Sequence, residues 1–398
     1  MAKVCHLMVS ACQRDEAAIR AFLRPRFYLS YSMRPYKPPQ ARFRIRDTDA
    51  PIPERVVTGW MRYVDFEPLA KGGTCELRTA LDRNLGRRVV IKTLLQEIEN
   101  DTVLQKRFLR EARITAQIQH PNTPPVYEVG RDQRQKLYFS MKQVAGRSFR
   151  EILDGIRDGD ASLRLAFPLF RQLEVFTQVA MAAGYAHACG VVHRDLKPAN
   201  IQVGHFGEVI LLDWGLAKVL ADPEELFHET DHGRHGFGPE SMALTKQGSK
   251  LGTPLYMSPE QVRSEEVKEA SDIFSMGVVL HEILTLEHLF HGTDVHELRE
   301  EILNKQIVPP SQCNSIYRIP PELDAICLKA LNRDPAERYE TLIELVNDLD
   351  RFRAGGSISL PVHSVGVRSR INRLLRMLRR SNAPPDRDGP DYPARKKG

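Results

Sequence analysis

His193-Arg194-Asp195-Leu196-Lys197-Pro198-Ala199-Asn200, with Asp213-Trp214-Gly215 after it, says more about the architecture of this chain than any other run of its sequence. One carboxylate, one ammonium, one amide and a second carboxylate stand there at fixed offsets. Oxygen donors of that kind suit a hard metal ion, and an ammonium beside a carboxylate can neutralise developing negative charge and orient a hydroxyl. Such a set works by positioning and electrostatics and does little covalent chemistry of its own. On either side the pattern is helical. Gln172 to Ala188 before it and Asp272 to Leu286 after it are the clearest apolar-periodic segments, and from Phe149 onward strand signals are few.

The region before Phe149 reads differently. From Tyr63 the pattern tightens, with Phe66 to Arg78 and Arg87 to Lys92 as strands separated by a turn at Asp82 to Gly86. A charged amphipathic helix follows from about Asp101 to Gln119 and stops at His120-Pro121-Asn122. Val126 to Val129 and Leu137 to Met141 alternate as two more strands. The first region is therefore a small sheet with one helix, and the class is α+β. Val89-Val90-Ile91-Lys92 places a lysine on a buried strand, where an unpaired ammonium is costly. Glu111, in Arg110-Glu111-Ala112 on the following helix, is its natural partner.

With 398 residues, 42% of them hydrophobic and 27% charged, the composition is that of a globular protein able to bury a sizeable core. No apolar run reaches the ~18 residues that would span a bilayer, and Phe274 to Leu286 is interrupted by His281 and Glu282. The apolar patch ending at Ala11 is short and is followed by Arg14, Asp15 and Glu16, so no secretory signal is read. Six cysteines lie scattered without a Cys-x-x-Cys pair, which argues against a disulfide framework and a structural zinc site and favours a reducing, cytoplasmic setting. A net charge of +6 is too small to imply nucleic acid as a partner.

His193 to Asn200, Asp213-Trp214-Gly215 and Gly252-Thr253-Pro254-Leu255-Tyr256-Met257-Ser258-Pro259-Glu260 together resemble protein kinases. They match the catalytic loop, the Asp-Phe-Gly motif with Trp214 for Phe, and the Ala-Pro-Glu motif with Ser258 for Ala. The resemblance covers about Tyr63 to Phe352. It implies a two-lobed fold, with a small antiparallel sheet and one helix in an N-lobe (63–144) and a larger helical C-lobe (145–353). An N-terminal extension (1–62) and a basic tail (354–398) flank this domain. ATP and Mg2+ are the implied cofactors, and serine or threonine hydroxyls of protein substrates are the implied acceptors.

The resemblance also assigns roles. Asp195 becomes the catalytic base and Lys197 reaches the γ-phosphate. Lys92, held by Glu111, faces the α- and β-phosphates, while Asn200 and Asp213 are the metal ligands. Met141 stands at the gatekeeper position, so Lys142, Gln143 and Val144 form the hinge for adenine. Glu260 is expected to pair with Arg338, and Asp272 to cap the catalytic loop from the central helix. Lys197 at its offset implies Ser/Thr specificity. Gly252 to Gln261 and Phe108-Leu109-Arg110-Glu111-Ala112 resemble the bacterial, Hanks-type branch.

The phosphate-covering loop departs from the family. After Leu69 the chain reads Ala70-Lys71-Gly72-Gly73-Thr74-Cys75-Glu76-Leu77, keeping the middle glycine of three and adding Gly73. Glycine lets the backbone approach phosphates closely. Cys75 is therefore expected to crowd the β- and γ-phosphates or tilt the loop, giving weaker nucleotide binding or slower turnover. Two readings of its thiol stand side by side, redox-sensitive or buried and inert. The alternative to an active enzyme is a pseudokinase scaffold that binds nucleotide weakly, and a small-molecule kinase is a third reading. Lys92, Glu111, Asp195, Lys197, Asn200 and Asp213 are intact and weigh against the scaffold.

The activation segment, between Gly215 and Ser258, carries Thr230, Ser241, Thr245 and Ser249, and Thr245 or Ser249 is the expected autophosphorylation site opposite Arg194. His228, His232 and His235 lack a carboxylate or cysteine at ligand spacing and read as a solvated loop. At the other end, Ile371, Leu374, Leu375 and Leu378 recur at helical spacing among arginines in about 366–380. That pattern suits peripheral contact with an anionic membrane, or a helix that is solvated or rests on the second lobe.

Overall fold

The computed structural model describes residues 57–220 and 254–355, apart from 293 and 314. The first layer is an antiparallel sheet of β1 (Tyr63–Lys71), β2 (Cys75–Asp82), β3 (Arg87–Leu94), β4 (Val126–Arg131) and β5 (Leu137–Lys142), in the order β1-β2-β3-β5-β4. Phe66 to Arg78, expected as one strand, is two. The chain folds back at Gly72 to Thr74, where the Gly72 N–H donates to Cys75 O at 2.8 Å. The turn between β2 and β3 lies where it was expected; there the N–H of Gly86, at φ 64°, donates to Asp82 O at 2.8 Å. A left-handed dihedral favours glycine at that position.

Register divides the sheet into two chemically different faces. Leu77 pairs with Lys92 and Cys75 with Leu94, so these four share the face toward α1 (Thr102–Gln117), whose Phe108 and Ala112 pack with Leu94, Leu137 and Phe139. Ala80, Val89, Ile91 and Tyr138 lie on the opposite face. That face is covered from the 3-10 turn Gly59–Arg62, whose Trp60 ring stacks on Phe66 at 4.9 Å. Arg62 then reaches the buried Asp82, with Nε 3.2 Å from Oδ1. Asp101 caps α1 by accepting from the Val103 and Leu104 N–H groups at 2.8 and 3.1 Å, which starts the helix one residue later than its sequence pattern.

After β5 come β6 (Gly146–Ser148), α2 (Phe149–Arg157), α3 (Ala161–Ala166), α4 (Leu169–Ala188), β7 (Val191–Val192), β8 (Ile201–Gly204), β9 (Val209–Leu211) and β10 (Lys218–Val219). The second layer is completed by α5 (Pro259–Arg263), α6 (Glu269–Thr285), α7 (Val295–Asn304), α8 (Pro321–Ala330) and α9 (Leu342–Arg353). Every residue of α6 from Ser271 to Thr285 is buried, so this helix is the central post of the second region. A helix apolar on all sides must be enclosed by others. Gly277 permits close approach, since a Cβ there would lie 3.0 Å from Ala330 Cβ on α8.

The polar residues of α6 need partners at that depth. Glu282 receives Arg150 Nη1 at 2.5 Å and the Tyr256 hydroxyl at 2.5 Å. Short strands, with no period to read in the sequence, set the site. β7 pairs with β10, and β6, β8 and β9 form a small sheet, so residues 193–200 and 212–217 are held at both ends. Among the described residues no helix is long and apolar enough to cross a membrane.

Candidate active site

His193 to Asn200 leaves β7 and enters β8, and its conformation is imposed from α6. The buried Asp272 carboxylate accepts the His193 N–H at 2.8 Å and the Arg194 N–H at 2.9 Å, and His187 Nε2 lies 2.8 Å from its Oδ2. Burial opposes ionisation of Asp272, yet the His187 bond and these donors hold its carboxyl below the usual range. Arg194 sits at φ 69°, a conformation that costs a non-glycine residue energy and persists because Asp272 clamps both neighbouring amides. His193 Nδ1 accepts from the Asp195 N–H at 3.2 Å, so its Nε2 carries the hydrogen and donates to Leu212 O at 3.2 Å.

Two clusters result. In the first, Lys197 Nζ lies 2.9 and 2.7 Å from the two Asp195 oxygens, and Asn200 Nδ2 donates to Asp195 Oδ2 at 2.9 Å and Asp195 O at 2.8 Å. Burial pushes the Asp195 carboxyl above its ordinary value, with Lys197 working against that. In the second, Lys92 on β3 is hydrogen-bonded to Glu111 on α1 and stands 4.0 Å from Asp213 Oδ1. Burial alone would lower the Lys92 pKa, but the two carboxylates raise it, so the ammonium stays protonated.

Asp213 Oδ1 and Glu111 Oε2 both converge on Gly215, where a Cβ would sit 3.2 and 3.3 Å from them. Any side chain there would press on both carboxylates. The clusters are joined through backbone, since the Leu212 N–H donates to Asn200 O at 2.8 Å and delivers Asp213 beside the first cluster. Trp214 follows, only 1% exposed, with its ring 4.6 Å from that of His193.

The donor set suits magnesium, which prefers a few oxygen ligands and retains waters. Both amide hydrogens of Asn200 are spent on Asp195, which leaves its carbonyl oxygen for another partner. Asp213 is half exposed at φ 63°, and although burial opposes it, Lys92 helps to hold its carboxyl below the usual range.

The remaining predicted positions lie on the first sheet and in the segment that follows it. Leu77, Lys92 and Met141 share one sheet face through the pairs Leu77 with Lys92 and Val90 with Met141. Gln143 and Val144 follow the end of β5, half-buried. Leu69, Ala70 and Lys71 are exposed at the end of β1, and Gly72, Gly73 and Thr74 make the turn. No hydrogen bond or ion pair ties Ala70 to Thr74 to either carboxylate cluster among the described residues. Cys75 lies on the same sheet face as Lys92, near enough to Lys92, Glu111 and Asp213 for their charges to bear on its thiol. It packs against the Leu94, Phe108 and Phe139 cluster, and burial pushes its thiol pKa up, which favours the inert reading over the redox-sensitive one.

The expected Glu260 to Arg338 pair is buried and bidentate, at 2.7 and 2.9 Å. His187, Arg150 and Glu282 were missed as supporting residues, because their partners lie 85, 106 and 132 positions away in the chain and no local spacing reveals them. Thr245, Ser249, the three histidines of the activation segment and the 366–380 segment lie outside the described residues.

The protein kinase domain model matches residues 63–348. This chain belongs to the protein kinase family. Within it the kinase domain is of the bacterial Hanks-type serine/threonine branch. It is 33% identical over 303 residues to the serine/threonine-protein kinase PknD of Chlamydia muridarum, covering 74% of this chain and 32% of that protein. The same-named protein of Protochlamydia amoebophila is 32% identical over 304 residues, covering 74% of this chain and 30% of its own length. The chain thus spans about a third of the length of the curated relatives it matches.

Proposed function

We propose that the protein transfers the γ-phosphoryl group of ATP to serine or threonine hydroxyls of protein substrates, beginning with its own activation segment at Thr245 or Ser249. One observation carries this reading. Six chemistry-bearing side chains distant in sequence lie in two adjacent clusters, Lys92 with Glu111 and Asp213, and Asp195 with Lys197 and Asn200. In this scheme Lys92, pinned by Glu111, contacts the α- and β-phosphates, and Asp195 orients the acceptor hydroxyl and takes its proton. Its burial-raised pKa favours that proton transfer. Lys197 stabilises charge on the group in transfer, and release of the proton to Asp195 leaves the new phosphoester and ADP. Asn200 and Asp213 would hold magnesium, which neutralises phosphate charge when bound.

The hinge is assigned to Lys142 through Val144. The N–H of Lys142 is taken by Pro125 O at 3.1 Å, so its carbonyl and the next peptides are the groups left for adenine. Incubation with labelled ATP and magnesium, comparing the natural chain with Asp195→Asn, tests the proposal. Label is expected in the first and reduced at least about a hundredfold in the second; equal label would overturn it.

A further inference from the structure

The sheet face turned away from Lys92 carries a cavity of about 400 Å³ that phosphoryl transfer does not use. Its walls include Trp60, Glu76, Arg78, Gln96, Arg134 and Lys136. Register explains the placement, because Arg78 pairs with Ile91 and Glu76 with Thr93 on the face opposite Lys92. The volume falls within the roughly 300–1,000 Å³ of small-molecule sites.

The charges in this cavity are unevenly satisfied. Arg78 lies against the Phe66 ring, 5.1 Å from its centroid, and its Nε is buried without a hydrogen-bond partner among the described residues. Arg78 lines the cavity, so its delocalised positive charge, carried by the whole guanidinium, is what an anion there meets. Arg134 adds a second cation on the rim that pairs with no carboxylate among the described residues. The acids nearby are more occupied. Asp132 Oδ1 accepts the Arg134 and Lys136 N–H groups at 2.8 and 2.9 Å, and Glu99 faces Lys136 Nζ at 3.9 Å. Trp60 supplies a flat wall, fixed by its stack on Phe66 and an edge contact with Tyr138, both at 4.9 Å. It also lies just before residue 63, where the family match begins.

We propose that this cavity is a second ligand site, taking a small planar molecule that bears a carboxylate or phosphate. The ring lies against Trp60 and the anion is held by Arg78 and Arg134, with Glu76 and Gln96 available to a donor on the ligand. Phenyl phosphate is the probe. It is titrated into the full chain by saturation-transfer NMR, with the nucleotide site filled by magnesium and a non-hydrolysable ATP analogue. Saturable transfer to the ring protons is expected, with phenol and inorganic phosphate competing at least about tenfold more weakly, because each lacks one recognised group. Arg78→Met and Arg134→Ala should each weaken binding at least about fivefold. Arg134 is exposed on a turn, so its variant tests the site even if Arg78→Met folds poorly. No saturable transfer, or unchanged affinity in Arg134→Ala, overturns the proposal.

Discussion

Replacing Arg338 with methionine should be among the most destabilising single changes available in this kinase domain. The guanidinium is fully buried and spends its donors on Glu260 Oε1 and Oε2, on Asn332 O at 2.7 Å, on Ala270 O at 2.6 Å and on Arg333 O at 3.2 Å. Without it, Glu260 keeps the Ser271 hydroxyl, at 2.6 Å, as its side-chain donor. Breaking one side of a buried pair costs about 3–5 kcal/mol, a large part of the roughly 5–15 kcal/mol that holds a domain together. The sign of the pH dependence follows. In the natural chain burial works against the Glu260 carboxylate, but Arg338 holds its pKa below the usual value. It therefore contributes stability above about pH 4.3, lost as pH falls through the folded pKa.

In Arg338→Met the same carboxyl is buried without its cation, so its pKa moves above the unfolded value and the ionised form is penalised. The deficit should then be largest near neutral pH and should shrink toward about pH 5. Urea unfolding followed by circular dichroism at both pH values measures this, with the Glu260→Gln, Arg338→Met double variant as control. The double variant should recover most of the loss, since no charge remains unpaired. A deficit under about 1 kcal/mol at neutral pH, or a double variant no better than the single, would refute the reasoning.

Lys92→Met should lower kcat/KM for ATP by about 10²–10³-fold with the fold retained; steady-state assays with unchanged values would remove Lys92 from the phosphate site. Gly215→Ala places a methyl against Asp213 and Glu111 and should cut turnover about tenfold while circular dichroism stays the same. Asp272→Asn should cost about 1.5–3 kcal/mol, because a charged acceptor for two amides and His187 is lost. As the Asp272 pKa is depressed, that difference should fade below about pH 3.9, and urea titrations across pH show whether it does. Cys75 should react with iodoacetamide more slowly than the exposed Cys189; equal labelling by mass spectrometry contradicts its inward packing.

The parts of this molecule legible in its sequence are those whose physics is local. His193 to Asn200 and Asp213 to Gly215 name themselves because fixed offsets along one loop carry the residue types. The amphipathic period of α1 and the apolar length of α6 likewise appear as patterns. Phe66 to Arg78 was misread because alternation continues through Gly72-Gly73, so the reversal there shows only when β1 and β2 pair. The shared face of Cys75, Leu77 and Lys92 was hidden for a related reason. Which face of the sheet a residue takes depends on register, and a single position shifts a side chain from one face to the other.

The sequence by itself determined the kinase family, the two regions, and the identity of the acids, bases and amide placed at the site. Beyond the Asp272 cap, which the family pattern also implied, tertiary structure decided how they are held. Asp272 clamps Arg194 in a left-handed conformation, Asn200 O draws Leu212 and with it Asp213 alongside Asp195, and His187, Arg150 and Glu282 brace the helices beneath. It also decided that Trp60 and Arg78 wall a cavity on the far side of the sheet. The physical reason is distance along the chain: hydrogen bonds and ion pairs between residues many tens of positions apart leave no periodicity to read, and they exist only once the core has closed around them.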